Sequence, residues 1–130
     1  MGEFLEKTVL VVEDERPLLD AISQKLESKK IKVVTARSSE EALEYIAKNT
    51  AIDAIWLDHY LLGKLDGLDF VAKLKSKDSK YRSVPIFVVS NTASSDKVNT
   101  YLKLGIDKYY TKAEYRLDQI ISDLISHLKS

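Results

Sequence analysis

The sequence predicts an α/β fold, a five-stranded parallel sheet doubly wound by five helices. Three observations carry that reading. Short apolar runs rich in β-branched residues recur along the chain, and a stretch with helical apolar spacing follows each of them. The alternation is strict, which implies right-handed crossovers and a sheet covered on both faces. A hydrophobic content of 45% in 130 residues makes one domain that buries about two-thirds of its unfolded surface, with no need of a disulfide or structural metal to fold.

Each element has its own justification. Thr8–Val12 is a continuous apolar run, the signature of a strand buried on both faces. Pro17 suits the first turn of the helix that carries Leu18, Leu19, Ile22 and Leu26. Ile31–Thr35 is the second strand, and Ser38 or Ser39 caps a helix with Ala42, Leu43, Ile46 and Ala47 on one face. Asp53–Leu57 is the third strand, running into Asp58; after a Gly-containing loop, Leu68, Val71 and Leu74 mark a short helix. Val84–Val89 is the fourth strand, with Pro85 acceptable near a strand end. Ser94 or Ser95 caps the next helix, which turns Val98, Tyr101 and Leu102 inward and ends at Gly105. Asp107–Tyr110 is the fifth strand, and Leu117, Ile120, Ile121, Leu124, Ile125 and Leu128 form the last amphipathic stripe. Residues 1–7 read as a poorly ordered leader and 8–130 as the domain.

Composition removes several function classes. Lys+Arg and Asp+Glu both number 20, whereas a general nucleic-acid binder carries a basic excess. Cysteine is absent, which excludes thiol catalysis and thiolate metal sites. No apolar run approaches the roughly 18 residues of a membrane span, and no signal peptide opens the chain. The expectation is a soluble, cytoplasmic domain with no direct nucleic-acid or membrane partner.

The functional reading starts from the polar residues at strand ends. Glu13 and Asp14 follow the first strand, Asp58 the third, Ser90 the fourth and Lys112 the fifth. In a parallel sheet these carboxyl ends gather in one cleft, where ligands bind. Three carboxylates brought together take up protons unless a cation sits among them. Their hard oxygens suit Mg²⁺, which accepts one or two carboxylates and keeps room for phosphate oxygens. A lysine and a hydroxyl beside it would hold phosphoryl oxygens. Asp58, aimed by a central strand, is the best-placed nucleophile toward phosphorus.

With these residues in view, the chain resembles the receiver domain of two-component response regulators, from about Lys7 to Leu128. The resemblance rests on VLVVEDE (Val9–Glu15), WLDHYLL (Trp56–Leu62), the pair Asp66–Gly67, VPIFVVSN (Val84–Asn91) and LGIDKYYTKA (Leu104–Ala113). It implies a flavodoxin-like strand order, 2-1-3-4-5. It also implies a phosphorylation-dependent switch, not a turnover enzyme, that receives its phosphoryl group from a histidine kinase or phosphotransfer protein. Carried over residue by residue, Asp58 matches the phospho-acceptor, Glu13 and Asp14 the acidic metal pair, and the Tyr60 carbonyl the backbone metal ligand. Ser90 matches the switch hydroxyl, Lys112 the lysine, and Tyr109 the aromatic that turns inward on activation. The face made by the fourth helix, fifth strand and last helix would then meet a downstream partner or a second copy.

The chain departs from the family pattern in four respects. The loop DHYLLGKLDG is one residue longer than usual, and Leu62 stands where proline is common. Asn91 follows Ser90 where the family favours Ala or Gly, and Ala113 replaces the proline after the lysine. The bond Lys112–Ala113 is therefore expected to be trans, since cis before a non-proline costs about 2.5–4 kcal/mol. The sequence given has no output domain after its last helix, so it reads as a stand-alone receiver or a fragment.

Simpler readings stand beside these. Glu13–Glu15 alone would be a solvated helix start. His59, next to Asp58 on a strand, is expected on the other face or at the surface. His127 favours the negative end of the last helix. Tyr101, Tyr109, Tyr110 and Tyr115 are either an interface cluster or ordinary edge packing with hydroxyls in water. Trp56 reads as core, and Lys73, Lys75, Lys77 and Lys80 as a solvated helix end. Among other functions, a pseudo-receiver working without phosphorylation is the alternative, to which Asn91 and the altered loop lend weight. A haloacid-dehalogenase-type phosphatase needs D-x-D after the first strand, and Asp14 is followed by Glu15 and Arg16. A flavodoxin needs a hydroxyl-rich phosphate loop where EDERP stands. The side chain of Asn91 predicts that Asn91→Ala changes the phosphorylation or dephosphorylation rate; unchanged rates in a phosphorylation time course would refute this.

Overall fold

The computed structural model describes residues 7–48, 51–61, 63–91 and 94–129. The leader expected over residues 1–7 lies outside them except for Lys7, and so does Leu62. The elements alternate without exception: β1 (Thr8–Val12), α1 (Arg16–Glu27), β2 (Lys32–Ala36), α2 (Ser39–Ala47), β3 (Ala54–Leu57), α3 (Gly67–Leu74), β4 (Ile86–Ser90), α4 (Ser95–Leu104), β5 (Lys108–Thr111) and α5 (Leu117–Lys129). All strand pairs are parallel, and the order is β2-β1-β3-β4-β5. This is the flavodoxin-like sheet that the resemblance implies, with strand order reversing between β1 and β3.

The period of two along each strand sorts the core into two halves. Val9, Val11, Ala54, Trp56, Phe87, Val89 and Tyr110 face α1 and α5, where Leu19, Ile22, Leu26, Ile120, Ile121, Leu124 and Leu128 close the layer. Leu10, Val12, Ile55, Leu57, Ile86 and Val88 face the opposite way, against Ala42 of α2, Phe70, Val71 and Leu74 of α3, and Tyr101 of α4. Burial on both faces is why β1, β3 and β4 read as unbroken apolar runs. Among the described residues, no helix is long and apolar enough to cross a membrane.

Strand boundaries move by one or two residues from those expected, for identifiable reasons. Asp53 and Asp107 are not strand residues but edge clamps: Asp53 accepts from the Thr8 amide at 2.8 Å, and Asp107 from the Ile86 amide at 3.0 Å. Ile31 is buried in the turn before β2, its amide on the Leu26 carbonyl. Pro85 lacks the amide that would extend β4 backward. Ser38 caps α2 by accepting from Glu41 N, and Asp66 and Asp69 form a reciprocal capping box on α3. Ser94 occupies the cap position of α4, its carbonyl accepting from the Val98 amide at 3.0 Å, without a side-chain cap bond.

Two inward assignments fail. Leu102 is 51% exposed, because Tyr101 takes the core-facing direction of α4 and the next residue is turned about 100° away. Ala47, in the last turn of α2, is exposed. Gly105 ends α4 as expected, at φ +99° with its amide on the Leu102 carbonyl. A Cβ there would meet no atom within 4 Å, so the cost of a side chain is purely conformational. Gly105→Ala is expected to lower stability by about 1–2 kcal/mol in urea denaturation, and Gly105→Asn by less, since Asn tolerates the left-handed region.

Candidate functional site

Backbone hydrogen bonds extend the sheet one residue past its strands and thereby fix the site. Glu13 N donates to Ala36 O (3.0 Å), Asp58 N to Val12 O (3.0 Å) and Lys112 N to Ser90 O (2.8 Å). Each chemistry-bearing residue is thus tied to the end of a neighbouring strand. Glu13, Asp58 and Ser90 are buried, while Asp14 and Lys112 are half-buried at the mouth. The five residues singled out at strand ends do converge at one edge of the sheet.

Within this cluster, Glu13, Asp14 and Asp58 each bring a carboxylate oxygen within 4.8 Å of the others. Lys112 Nζ donates to Glu13 Oε1 at 3.2 Å and to Asp58 Oδ2 at 3.5 Å. The other Glu13 oxygen accepts from the Glu15 amide at 3.2 Å. Among the described residues, Asp58 Oδ1 is buried with no hydrogen-bond partner, which is costly for a carboxylate unless a cation or donor meets it. Burial raises the pKa of Glu13, as does the charge of Asp58, against a smaller opposing effect of Lys112. Burial also raises that of Asp58, with Lys112 opposing. At Lys112, burial works to lower the pKa, but the charges of Asp58 and Glu13 outweigh it and the net direction is upward. One lysine does not neutralise three acids. An oxygen-seeking divalent cation fits this donor set: hard carboxylates, a strained proton balance and an unpartnered buried oxygen.

The remaining site residues divide by location. Ser90 is fully buried at the end of β4, and the Tyr109 hydroxyl shares a hydrogen bond with its side chain. Tyr109 is half-buried, its ring 5.8 Å from that of Tyr101. Tyr60 is 51% exposed at the mouth, with Lys97 Nζ 3.3 Å from its hydroxyl and 5.0 Å from its ring centroid. Asn91 is exposed beyond Ser90. There is no cis peptide among the described residues, so Lys112–Ala113 is trans, as the missing proline predicts.

His59 lies on the sheet face opposite Asp58, as strand alternation requires, but it is not at the surface. It is 2% exposed, and its Nδ1 is 2.6 Å from the Tyr101 hydroxyl. The four tyrosines do not form one cluster either. Tyr101 and Tyr109 pack on the α4 side, while Tyr110 and Tyr115 meet edge-on across the sheet with ring centroids 5.0 Å apart. The Tyr110 hydroxyl donates to Asp123 at 2.7 Å. Trp56 is core, and His127 is exposed with its ring edge-on to Phe87.

Two residues that sequence reasoning passed over hold the site's loops. Arg37 donates from Nε and Nη2 to the Asp14 carbonyl, at 3.3 and 2.9 Å. Glu40, in the first turn of α2, accepts from the amides of Lys64 and Leu65 at 2.9 and 3.2 Å, and Ser39 Oγ donates to Asp66 O. The lengthened loop after Asp58 is therefore moored to α2. Both contacts join residues more than twenty positions apart, and no local pattern announces them.

The charge surplus has a measurable consequence. Asp58→Asn removes one of the crowded charges, so in metal-free buffer at neutral pH it should stabilise the fold by about 1 kcal/mol, roughly 4 °C in melting temperature. A raised carboxyl pKa means that the folded state holds its proton more tightly than the unfolded chain, so the penalty grows as pH rises. The gain should therefore vanish in acid, where Asp58 is protonated in both states. A variant melting at or below the wild type at neutral pH would contradict this.

Comparison with known proteins bears on the same residues. The family model described as the response regulator receiver domain matches residues 9–124, a span that contains every residue of the cluster. The heme response regulator HssR of Staphylococcus haemolyticus is 34% identical over 103 residues, 79% of this chain and 43% of the relative. The alkaline phosphatase synthesis transcriptional regulatory protein PhoP of Bacillus subtilis is 34% identical over 110 residues, 83% of this chain and 43% of the relative. The chain thus spans less than half the length of these curated relatives. Among solved structures, the receiver domain of the Francisella response regulator 1452 superposes with a TM-score of 0.83 at 27% identity, covering 95% of this chain and 98% of that one. The phosphorylated cyanobacterial phytochrome response regulator RcpA gives a TM-score of 0.79 at 28% identity, covering 94% and 91%. Sheet order, the acidic edge with its lysine, and this span of sequence similarity agree: the chain belongs to the response regulator receiver domain family.

Proposed function

We propose that this domain is a phosphorylation switch whose acceptor is Asp58. The observation that carries the reading is the Asp58 carboxylate itself, rigidly aimed from the end of β3, with Oδ1 buried and unpartnered among the described residues and Oδ2 beside Lys112. In the reaction, an Asp58 oxygen attacks phosphorus, forming an O–P bond as the bond to the donor breaks; for a histidine kinase or phosphotransfer protein that is an N–P bond, and the imidazole takes the electron pair. Lys112 holds a phosphoryl oxygen by charge, and the Ser90 hydroxyl donates to another. Glu13, Asp14, Asp58 and the Tyr60 carbonyl would hold Mg²⁺, which when bound supplies charge neutralisation for the incoming phosphoryl group.

Signalling, not turnover, is the output of this chemistry. Ser90 is bonded to Tyr109, so drawing Ser90 toward a phosphoryl group changes what Tyr109 is bonded to. A charge gained at Asp58 can then bias the α4–β5–α5 surface toward a downstream protein or a second copy. The curated relatives named above are regulators, which supports this reading, as does a structural neighbour described as phosphorylated. We take residues 8–130 as the receiver unit and the cytoplasm as its compartment.

The test is intact-mass analysis after incubation with acetyl phosphate and Mg²⁺. A single phosphoryl adduct is expected, lost in Asp58→Asn and on chelation. Beryllofluoride binding without a stable adduct would mean rapid hydrolysis. Neither adduct nor binding would overturn the proposal in favour of an interaction module that works without phosphorylation.

A further inference from the structure

The pair His59 and Tyr101 has no part in the phosphoryl chemistry, yet it is among the most constrained contacts in the molecule. Both side chains are buried, at 2% and 0% exposure, and the Nδ1 to hydroxyl distance is 2.6 Å. Neutral imidazole and phenol satisfy each other in either tautomer, one donating and one accepting. Beneath them, the Gly67 amide donates to the His59 carbonyl at 3.1 Å. A Cβ on Gly67 would run into the Tyr101 hydroxyl, with the His59 Cα and Asp58 carbonyl 3.1 and 3.2 Å away. The first residue of α3, the residue after Asp58 and the middle of α4 therefore meet at one point.

The anchoring of α4 gives this junction its weight. The helices α1, α3 and α5 each bury three or four residues, whereas α4 buries only Tyr101 and α2 only the small Ser39 and Ala42. Val98 and Leu104 are half-buried, and Leu102 faces outward. Helices with so little buried surface belong to the low-stability end of a fold, where local opening is easiest. The Tyr101 ring also lies 5.8 Å from that of Tyr109, which is bonded to Ser90. His59, two residues past β3, and Ser90, the last residue of β4, thus both connect to α4 through side chains.

We propose that Tyr101 is a positioning residue. Its hydroxyl, held by His59, pins α4 to the end of the acceptor strand and sets the resting placement of the α4–β5 surface. The functional meaning of that placement rests on the reading of Asp58 as phospho-acceptor. Breaking the pin frees α4 without touching the residues that handle the phosphoryl group.

Amide hydrogen exchange on Tyr101→Phe, His59→Leu and His59→Asn tests this. Tyr101→Phe removes only the hydroxyl, and His59→Leu only the polar partner. Asn keeps a polar group near the Nδ1 position. The α4 amides should exchange about tenfold faster in the first two variants and within about twofold of wild type in His59→Asn, with α1 and α5 amides unchanged. Unaltered α4 exchange in Tyr101→Phe would overturn the pin. So would a uniform rise across all helices, which would make the pair a global stabiliser, or equal effects of His59→Leu and His59→Asn. The same preparations are mass-analysed after acetyl phosphate and Mg²⁺. Absence of an adduct in the wild type overturns the acceptor reading alone, since the exchange comparison concerns the resting protein.

Discussion

Lys112 stands between Glu13 and Asp58 at 3.2 and 3.5 Å, and the rest of the molecule is arranged around the consequences. At an effective dielectric near 20, each contact is worth about 5 kcal/mol of Coulomb attraction, but one cation faces three carboxylates. The cluster does not stabilise the fold by itself; buried ion pairs seldom do. Stability comes from the two apolar layers on either side of the sheet. What the sheet supplies at its edge is rigidity, since the amides of Glu13, Asp58 and Lys112 are bonded to neighbouring strands. Crowded charges that cannot relax apart keep a donor set that fits a cation.

Strand alternation made most of this legible in advance. Runs such as Val9–Val12 and Ile86–Val89 have no polar face, so they could only be central strands of a covered parallel sheet. Once the sheet is parallel, polar residues at the ends of those runs must share an edge. Legibility fell off where the deciding contact was distant in sequence. Glu40 mooring Lys64 and Leu65, and Arg37 gripping the Asp14 carbonyl, depend on how α2 packs beside α3, which no short window encodes. The inward assignment of Leu102 failed for a related reason. A stripe of apolar residues leaves open which one points at the core, and the volume of Tyr101 decided it.

Asp58 and His59 illustrate how one peptide step separates two roles. Neighbours on a strand face opposite layers, so Asp58 opens toward Lys112 and the acidic pair while His59 enters the apolar layer beneath α3 and α4. A histidine in that layer is costly unless bonded. Tyr101 provides the bond, and in doing so becomes the one fully buried residue of its helix. Gly67 provides the space for it.

This arrangement bears on how the proposed charge change at Asp58 would be felt at a distance. A switch needs an element with two arrangements close in free energy, and contacts that distinguish them. The helices α1, α3 and α5, with several buried residues each, cannot shift without opening cavities in the core. For α4, the buried attachment is concentrated in one aromatic ring and its hydrogen bond. A single polar contact breaks and re-forms at far lower cost than a packed layer. The helix that meets Tyr109 through Tyr101 thus buries fewer residues than α1, α3 or α5.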